Sequence, residues 1–363
     1  MFPVTSLAKT LLTNNSAARQ YQINIIADGL NIPWAMTFLN QTQLLITERQ
    51  GTLKLLDRFS GHLQTISGIP PVYNKGQGGL LDIALAPHYK EDGWIYFTYS
   101  KPINRSGATT LARGKLRHNT LFDWTDLLVT KSVTNTNRHF GSRITFDDNG
   151  HVFFTVGDRG VRPNGQDLST HAGSVIRLNL DGSTPDDNPF IKRKSALTEI
   201  WSYGHRNPQG LTFDLKHNRL WLMEHGPRGG DELNLIRKGK NYGWPVISYG
   251  KEYWGPINVG EATEKAGMES PTKYYVPSIA PSSLLLYTGK AFPNWNENLF
   301  AGALKLQHLN RIVLNKNAQA IDEERLLQGM NERIRSLVQS PEGWIYLSTD
   351  SGKIISITPT LLP

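Results

Sequence analysis

The most constraining feature of this sequence is a strand-turn-strand unit that recurs six times along the chain. Each unit starts with a small or polar loop, runs through an apolar segment, turns at Asp, Asn or Gly, and continues into a second segment rich in aromatic residues. The units recur at roughly 45 to 75 residues, which is the range of propeller blades with inserted loops. They occupy residues 32–57, 78–100, 140–160 continued by 172–182, 207–226, 282–305 and 333–359.

A unit of this size cannot bury both of its faces alone, so successive units must stack on one another. We therefore predict an all-β fold, a six-bladed β-propeller with inserted loops at the mouth of its central channel. A content of 33 glycines, 20 prolines and 9 tryptophans with 19% charged residues agrees with an all-β chain rich in turns. We expect residues 21–363 to form a single propeller domain and residues 1–20 to be an N-terminal tail or the remnant of a leader peptide.

Composition limits the functions open to this chain. The formal net charge is +8, but Lys and Arg are dispersed without a basic helix or a mixed basic and aromatic motif, so we expect no nucleic-acid partner. Such a basic surface favours acidic small molecules. The absence of cysteine excludes thiolate metal sites and cysteine nucleophiles. No window of about 18 apolar residues occurs, so we expect no membrane span.

In a propeller, the segments that precede the first strands of the blades meet at the mouth of the channel, although they are far apart in sequence. Histidine titrates near neutral pH, so a histidine at such a junction is the best candidate for a general base. Only its position distinguishes His139 from the other histidines of the chain, and a lone histidine is more often a hydrogen-bonded surface residue. The residues at or near the junctions are Gln77, His139, Arg206, Lys305, Arg333 and Arg335.

Two arginines of the last unit lie two residues apart in a predicted strand. Arg333 and Arg335 therefore project to one side, while Ile334 points to the other. Two guanidiniums on one side repel each other unless an anion lies between them. With Lys305 at the inner end of another blade, this arrangement favours a polyanionic small ligand, and the alternative is a solvated edge with loose counterions. Asp158, in Val-Gly-Asp-Arg-Gly, is expected to be a turn residue.

The stretch from Glu199 to Pro245 combines glycines, prolines and acids around two short predicted strands. Glycines and a proline let the backbone turn sharply and aim its carbonyl oxygens inward, and the acids supply hard oxygen ligands. The segment from His225 to Glu232 therefore suits a calcium site beside an anion-binding arginine, Arg206. The same residue types also make ordinary turns, so the pattern alone leaves both interpretations open.

Several motifs, weak one by one but specific in their order and combination, resemble one known family. They are NIPWAMTF, GQGGLLDIALAP, HFGSRITFD, PDDNPF, EIWSYGHRNPQG, EHGPRGGDELN, GKNYGWP, LFAGALK and RIR. The chain resembles the soluble sugar dehydrogenases that depend on pyrroloquinoline quinone (PQQ), the glucose/sorbosone dehydrogenase group, and looks closest to their bacterial aldose sugar dehydrogenase branch. The similarity runs from about Gly29 to Pro359.

The resemblance implies a six-bladed propeller with PQQ across the channel mouth and calcium beside it. It implies that His139 is the general base and that Arg206, also catalytic, lies with Asn207 at the quinone side of the cofactor. The other implied cofactor or substrate contacts are Gln77, Tyr253, Ala303, Leu304, Lys305, Arg333, Ile334 and Arg335. The implied calcium ligands are Gly226 and Pro227, through their backbone carbonyls, together with Glu232 and Tyr242.

The implied activity is oxidation of aldose sugars at the anomeric carbon to lactones. His139 would remove the hydroxyl proton while hydride passes to PQQ, and Arg206 with calcium would stabilise the negative charge that develops. The electron acceptor is unknown. By resemblance the protein is expected to be periplasmic or secreted, as a monomer or homodimer.

Two other classes of function stay open. One is a calcium-dependent propeller lactonase or other hydrolase, which the mostly basic junctions disfavour. The other is a non-catalytic propeller that serves as a binding platform, which gives no reason for Lys305, Arg333 and Arg335 to converge.

Overall fold

A computed structural model of the chain describes residues 9–15 and 20–360, and nearly all regular structure in these ranges is β-strand. The strands form six antiparallel sheets, so the predicted six-bladed propeller is confirmed. Its short helical elements are α1 (Tyr89–Asp92) and two 3₁₀ turns, Arg162–Gln166 and Pro293–Trp295. None of the helices in the described ranges has the length and apolar character needed to cross a bilayer.

Blades 1 to 5 each take four consecutive strands. Blade 1 contains β3 (Pro33–Phe38), β4 (Gln43–Glu48), β5 (Thr52–Asp57) and β6 (Leu63–Ile66). Blade 2 contains β7 (Leu80–Leu85), β8 (Trp94–Ile103), β9 (Ser106–Arg117) and β10 (Thr120–Val129). Blade 3 contains β11 (Ile144–Phe146), β12 (His151–Val156), β13 (Ser174–Asn179) and β14 (Ile200–Tyr203). Blade 4 contains β15 (Pro208–Asp214), β16 (Arg219–Glu224), β17 (Asp231–Ile236) and β18 (Lys273–Tyr275). Blade 5 contains β19 (Pro281–Leu286), β20 (Leu299–Ala303), β21 (Leu309–Leu314) and β22 (Ala320–Leu326).

Blade 6 joins the two ends of the chain. Its strands are β23 (Ile334–Gln339), β24 (Ile345–Thr349) and β25 (Ile354–Pro359), followed by β2 (Gln20–Ala27) and, outermost, β1 (Lys9–Asn15). Tyr21 lies opposite Pro359, so the propeller is closed by strands from both ends of the sequence. Strand β1 falls within the segment expected to be a tail, so the sheet extends beyond that boundary. The rest of residues 1–20, apart from Gln20, lies outside the described residues.

The second strand of each unit is a near-continuous apolar run because its two faces contact two different blades. In β12, Val152 and Phe154 pack in one cluster with Tyr96 of blade 2. Phe153, which points to the other face, packs in a second cluster with Leu222 of blade 4. Stacking between blades thus creates the core, as the repeat predicted.

One arginine occupies the centre of the channel. Arg143, just before β11, is buried, and its guanidinium lies 3.9 Å from the centre of the Trp34 ring in blade 1. Its other partners come from the remaining blades: the Asp82 carboxylate (3.1 Å) and the carbonyls of Gln209 (2.8 Å), Ser282 (2.5 Å) and Arg335 (3.0 Å). Burial lowers the pKa of Arg143 to about 10, so the group remains a cation at neutral pH. A buried cation needs such partners, and through them Arg143 ties all six blades together.

Side-chain bonds also connect neighbouring blades near the mouth. Five of them run from a hydroxyl to a carbonyl of the next blade: Thr47 to Leu81, Thr98 to Ser142, Thr155 to Pro208, Ser282 to Ile334, and Ser348 to Pro33. Between blades 4 and 5 the imidazole of His225 bonds to the Pro281 carbonyl instead. Because the first two strands of a blade are antiparallel, the start of the first and the end of the second lie at the same edge. Residues just before the first strand of a blade and just after its second strand therefore both lie at the mouth of the channel.

Candidate active site

A cavity of about 250 Å³ opens at the channel mouth. Most of its lining comes from the two positions just described, so the predicted convergence of distant junctions is observed. Residues that precede a first strand are Gln77, Phe140, Gly141, Asn207, Ala280 and Arg333. Residues that follow a second strand are Arg49, His225, Leu304 and Asp350. The rest lie in first strands: Trp34, Leu81, Gln209 and Arg335.

His139 lies directly before two of the lining residues and is held by a buried carboxylate. Its Nδ1 is 2.6 Å from Oδ1 of Asp158. Its backbone N–H donates to Oε1 of Gln77 (2.7 Å), which fixes the loop in the left-handed conformation seen at His139 (φ 58°). Asp158 does begin a turn, as expected, since its carbonyl accepts from Val161 N–H (3.2 Å). The sequence did not predict its second role, in which the buried side chain orients the imidazole.

The pairing with Asp158 decides which nitrogen of His139 carries the proton. An ionised carboxylate only accepts hydrogen bonds, so Nδ1 is the protonated nitrogen and Nε2 keeps its lone pair. Burial lowers the pKa of His139, the positive charge of Arg206 adds to this, and the bond to Asp158 opposes it. Burial alone would raise the pKa of Asp158, but the bond from His139 and the charge of Arg206 outweigh burial, and the pKa is lowered. The pair is thus a neutral imidazole backed by a carboxylate, which is the arrangement of a general base.

Trp244 links this pair to Arg206. The indole N–H of Trp244 donates to Oδ2 of Asp158 (2.8 Å), and the Arg206 guanidinium lies 5.3 Å from the centre of a Trp244 ring. Arg206 also donates to the His225 carbonyl (3.2 Å) and lies 3.5 Å from the hydroxyl of Tyr253. Arg206 is therefore a buried cation held beside the base.

A carboxylate lies between the two arginines of blade 6. Asp350 accepts from Nε of Arg333 (2.8 Å) and from Nε and Nη2 of Arg335 (2.8 and 3.0 Å). The anion expected between these arginines is therefore supplied by the protein itself, whereas the sequence favoured a small ligand there. Ile334, between the arginines, is buried in the core as predicted.

The other predicted cofactor contacts are only partly brought together. Leu304 lines the cavity, and its carbonyl accepts from Nη1 of Arg333 (3.0 Å). Lys305 is exposed and is not among the lining residues. Ala303 and Ile334 are core residues at the edge of their strands, so only their neighbours reach the cavity. Tyr253 is 65% exposed, does not line the cavity, and lies beside the site through its contact with Arg206.

A second cavity, of about 10 Å³, is bordered by Glu224, Glu232, Gly226 and Tyr242 among others. Its volume suits one water molecule or one ion. Burial, followed by the negative charge of Glu224, raises the pKa of Glu232. Oδ1 of Asn234, whose amide nitrogen bonds both glutamates, is buried and has no hydrogen-bond partner in the described ranges. Two close carboxylates at the edge of a cavity of this size are hard oxygen ligands of the kind that calcium prefers, so Glu224 and Glu232 fit such an ion.

The predicted calcium ligands differ in which of their oxygen atoms are available to bind an ion. The phenol of Tyr242 is already engaged, since it donates to the Leu235 carbonyl (2.7 Å) and accepts from the Arg237 backbone N–H (2.9 Å). The backbone carbonyls of Tyr242, Gly226 and Pro227 accept no hydrogen bond from the described residues. The part of the chain that the structure describes has no group of three or more His, Asp or Glu side chains placed to hold a metal. Backbone oxygens would therefore have to complete the ligand set.

Sequence reasoning missed Arg49, Asp158, Asp350 and Glu224. A signal was present, because all four residues stand two places before a glycine that follows a second strand, in Arg49-Gln50-Gly51, Asp158-Arg159-Gly160, Glu224-His225-Gly226 and Asp350-Ser351-Gly352. Each had the composition of an ordinary turn. Only alignment of the six units against each other would have shown that these turns face the mouth.

The fold and the site together define a class: a six-bladed propeller enzyme with a cationic cavity and a His–Asp pair at its channel mouth. The profile of the Glucose / Sorbosone dehydrogenase family matches residues 30–356. The aldose sugar dehydrogenase YliI of Escherichia coli (strain K12) is 39% identical over 95% of this chain and 94% of its own length.

Solved structures agree with this match. The apo-form of the soluble aldose sugar dehydrogenase from Escherichia coli superposes with a TM-score of 0.90 at 37% identity, over 94% of this chain and 100% of that one. The PQQ-bound aldose sugar dehydrogenase from Streptomyces coelicolor has a TM-score of 0.76 at 25% identity, over 98% of this chain and 99% of that one. The chain belongs to the glucose/sorbosone dehydrogenase family and is an oxidoreductase of the sugar dehydrogenase type.

Proposed function

We propose that this protein oxidises aldose sugars at the anomeric carbon to lactones, with PQQ as the electron acceptor in the site and calcium beside it. One observation carries the proposal: a cation-rich cavity lies next to a neutral histidine whose Nδ1 bonds to a buried carboxylate and whose Nε2 has no partner among the residues that the structure describes. Family membership and the PQQ-bound relative from Streptomyces coelicolor support the choice of sugar and cofactor.

The residues that would hold the cofactor follow from charge. PQQ carries three carboxylates, and the cavity is lined by three arginines and one aspartate, a net charge of +2. Arg333 and Arg335 supply fixed N–H donors on one side, while Gln77 and Asn207 line the cavity next to the base. This donor set fits a planar polycarboxylate. When bound, PQQ would accept the two electrons that leave the sugar as hydride.

The chain's own residues account for the proton. Nε2 of His139 would take the proton from the anomeric hydroxyl, and Asp158 would stabilise the resulting imidazolium through Nδ1–H. Arg206, held between Trp244 and Tyr253, would stabilise negative charge that develops on the ligand side of the site.

We propose that calcium binds through Glu232, the carbonyl of Tyr242, and the carbonyls of Gly226 and Pro227. The close pair of carboxylates at the edge of the small cavity supports a cation at Glu232. Its charge would remove the repulsion between Glu224 and Glu232 and hold the loop that carries Gly226.

The test is dye-linked oxidation of a panel of aldoses by apoprotein, with and without added PQQ and calcium. We expect activity only when both are present, with lactone as the product. A protein that binds no PQQ in an absorbance titration and oxidises no aldose would refute the proposal, and lactone hydrolysis would be assayed next.

We also propose, from the family resemblance, that the protein is periplasmic or secreted. Fractionation of the native host with an antibody against the protein tests this. Recovery in the cytoplasmic fraction alone would contradict it.

A further inference from the structure

Arg49 differs from the other arginines of the cavity because its guanidinium has no partner in residues 20–360. It is the first residue after β4 and is partly buried. Its backbone is fixed, since its N–H donates to the Ile32 carbonyl (3.2 Å) and its own carbonyl accepts from Leu80 N–H (3.0 Å). The described residues offer its side chain no hydrogen bond and no ion pair, although it lines the cavity.

The nearby carboxylates are all committed elsewhere. Asp350 is shared by Arg333 and Arg335. Glu48 accepts from the Asn31 backbone N–H (2.6 Å). Asp82 pairs with Arg143 (3.1 Å). No internal anion in the described ranges is therefore left for Arg49.

The electrostatic setting makes this arginine a binding group rather than a structural one. Burial lowers the pKa of Arg49, and the charge of Arg335 lowers it further, against a smaller opposing effect of Asp350. The Arg49 guanidinium thus lies in a cavity whose lining carries more positive than negative charge. A carboxylate that enters the cavity would relieve this repulsion and gain a guanidinium whose N–H donors are all uncommitted.

We propose that Arg49 binds a carboxylate of the cofactor directly and is the principal charged contact from blade 1. The inference rests on the proposed function, because it takes the cavity's ligand to be PQQ. Arg49 continues the cationic wall of Arg333 and Arg335 from blade 6 across the junction between the first and last blades. The charges of the blade 6 arginines are partly neutralised by Asp350. The charge of Arg49 has no carboxylate partner in the described ranges and is therefore available to a carboxylate of the ligand.

The test is equilibrium binding of PQQ to apoprotein, followed by absorbance titration, for the wild type and Arg49→Gln. Loss of one charge-assisted contact predicts roughly 10- to 100-fold weaker binding. Arg49→Lys keeps the charge without the planar fork and should lose less. Arg193→Gln, at an exposed position between β13 and β14 outside the cavity lining, removes the same charge and should bind as the wild type.

Two further measurements separate the contact from general effects. Thermal unfolding of the Arg49→Gln apoprotein should match the wild type, because the side chain makes no bond within the described protein. The trimethyl ester of PQQ serves as the second probe, and Arg49→Gln should weaken its binding far less than it weakens binding of PQQ.

The possible results are distinct. Wild-type affinity for PQQ in Arg49→Gln would overturn the inference, and so would an equal loss for PQQ and its trimethyl ester. A wild-type protein that binds no PQQ would overturn the proposed function and this inference with it. Selective loss for the tricarboxylate, with unchanged unfolding, would establish Arg49 as a cofactor-binding residue.

Discussion

The two walls of the cavity are built in opposite ways. The base wall is the side of the cavity lined by Phe140 and Gly141. Directly behind this lining, His139, Asp158 and Trp244 satisfy one another's polar groups, and Nε2 of the histidine bonds no group in the described ranges. On the cationic wall, one carboxylate, Asp350, is shared by Arg333 and Arg335, and Arg49 has no partner in the described ranges. The first wall is organised before any ligand arrives, while the second is completed only by an anion. We therefore expect changes to the base wall to affect turnover and changes to the cationic wall to affect binding.

The largest effect is expected for His139→Gln. Loss of a general base should lower kcat by about 10²- to 10⁴-fold, because no other group takes the proton from the sugar. PQQ affinity, set by the cationic wall, should stay close to that of the wild type. Steady-state kinetics at saturating PQQ and a PQQ titration measure the two quantities, with the exposed His62→Gln as control. Equal losses in both quantities would contradict the division between the walls.

Asp158→Asn should follow, with a loss in kcat of about 10²-fold or more, because the amide neither stabilises the imidazolium nor enforces the tautomer with Nδ1–H. KM for the sugar should change much less than kcat. The kinetics are compared well below the melting temperature, since Asp158 also accepts from Trp244 and Gly160. A variant that retains wild-type kcat would show that the carboxylate does not serve the base.

Asp350→Asn tests the cationic wall by removing the carboxylate that neutralises Arg333 and Arg335. Removal of the carboxylate leaves Arg333 and Arg335 facing each other, and we expect the apoprotein to lose about 1–3 kcal/mol of unfolding free energy. PQQ should restore part of this loss, so the rise in Tm on addition of PQQ should be larger than for the wild type. Differential scanning fluorimetry with and without PQQ measures both. An unchanged rise in Tm would mean that Asp350 does not share its arginines with the ligand.

A smaller effect is expected at an exposed ion pair that joins the loops of blades 3 and 4. Arg162 bonds Glu252 through two N–H groups, each at 2.7 Å, beside Tyr253. Arg162→Glu should raise KM for the sugar by less than about fivefold, because exposed pairs contribute little. Glu252→Arg in the same chain restores opposite charges and should recover most of the loss. Failure of this double variant to recover would indicate that the pair does not position Tyr253.

The smallest effect is expected from mild acidification of the wild type. Burial holds the pKa of His139 below its usual value of 6.5, so the neutral base persists at that pH. Between about pH 8 and pH 6.5, kcat/KM should fall by less than about twofold, and its acid limb should lie below 6.5. A pH profile with constant ionic strength checks this. An acid limb above pH 6.5 would mean that the hydrogen bond to Asp158 raises the pKa of His139 by more than burial lowers it.

The blades were predictable because their information is local. Apolar runs such as Leu44 to Thr47 and Val152 to Thr155, separated by Asp, Asn and Gly turns, specify strands and their order without reference to distant residues. The convergence of His139, Arg206 and Arg333 followed from the repeat itself. The spacing of Arg333 and Arg335 even required an anion between them.

The identity of partners was not predictable in the same way. Asp158 and Asp350 resemble turn residues because their sequence neighbours are those of a turn, and their roles depend on His139, Arg333 and Arg335, which are 15 to 19 residues away. Lys305 illustrates the opposite error, since its cationic side chain at a junction is exposed while its neighbour Leu304 lines the cavity.

The sequence by itself determined the repeat, the all-β class, the family and the junctions where a site must form, because strand periodicity and turn chemistry are properties of short segments. Only the tertiary structure decided how charges are paired. Arg143 of blade 3 meets partners from the five other blades, Asp350 neutralises two arginines, and Arg49 is left without a partner in the described ranges. These outcomes depend on the closure of the ring, which brings together segments as far apart in the chain as Tyr21 and Pro359. Pairing of charges is settled by those distances and by burial, and neither is written in any local stretch of sequence.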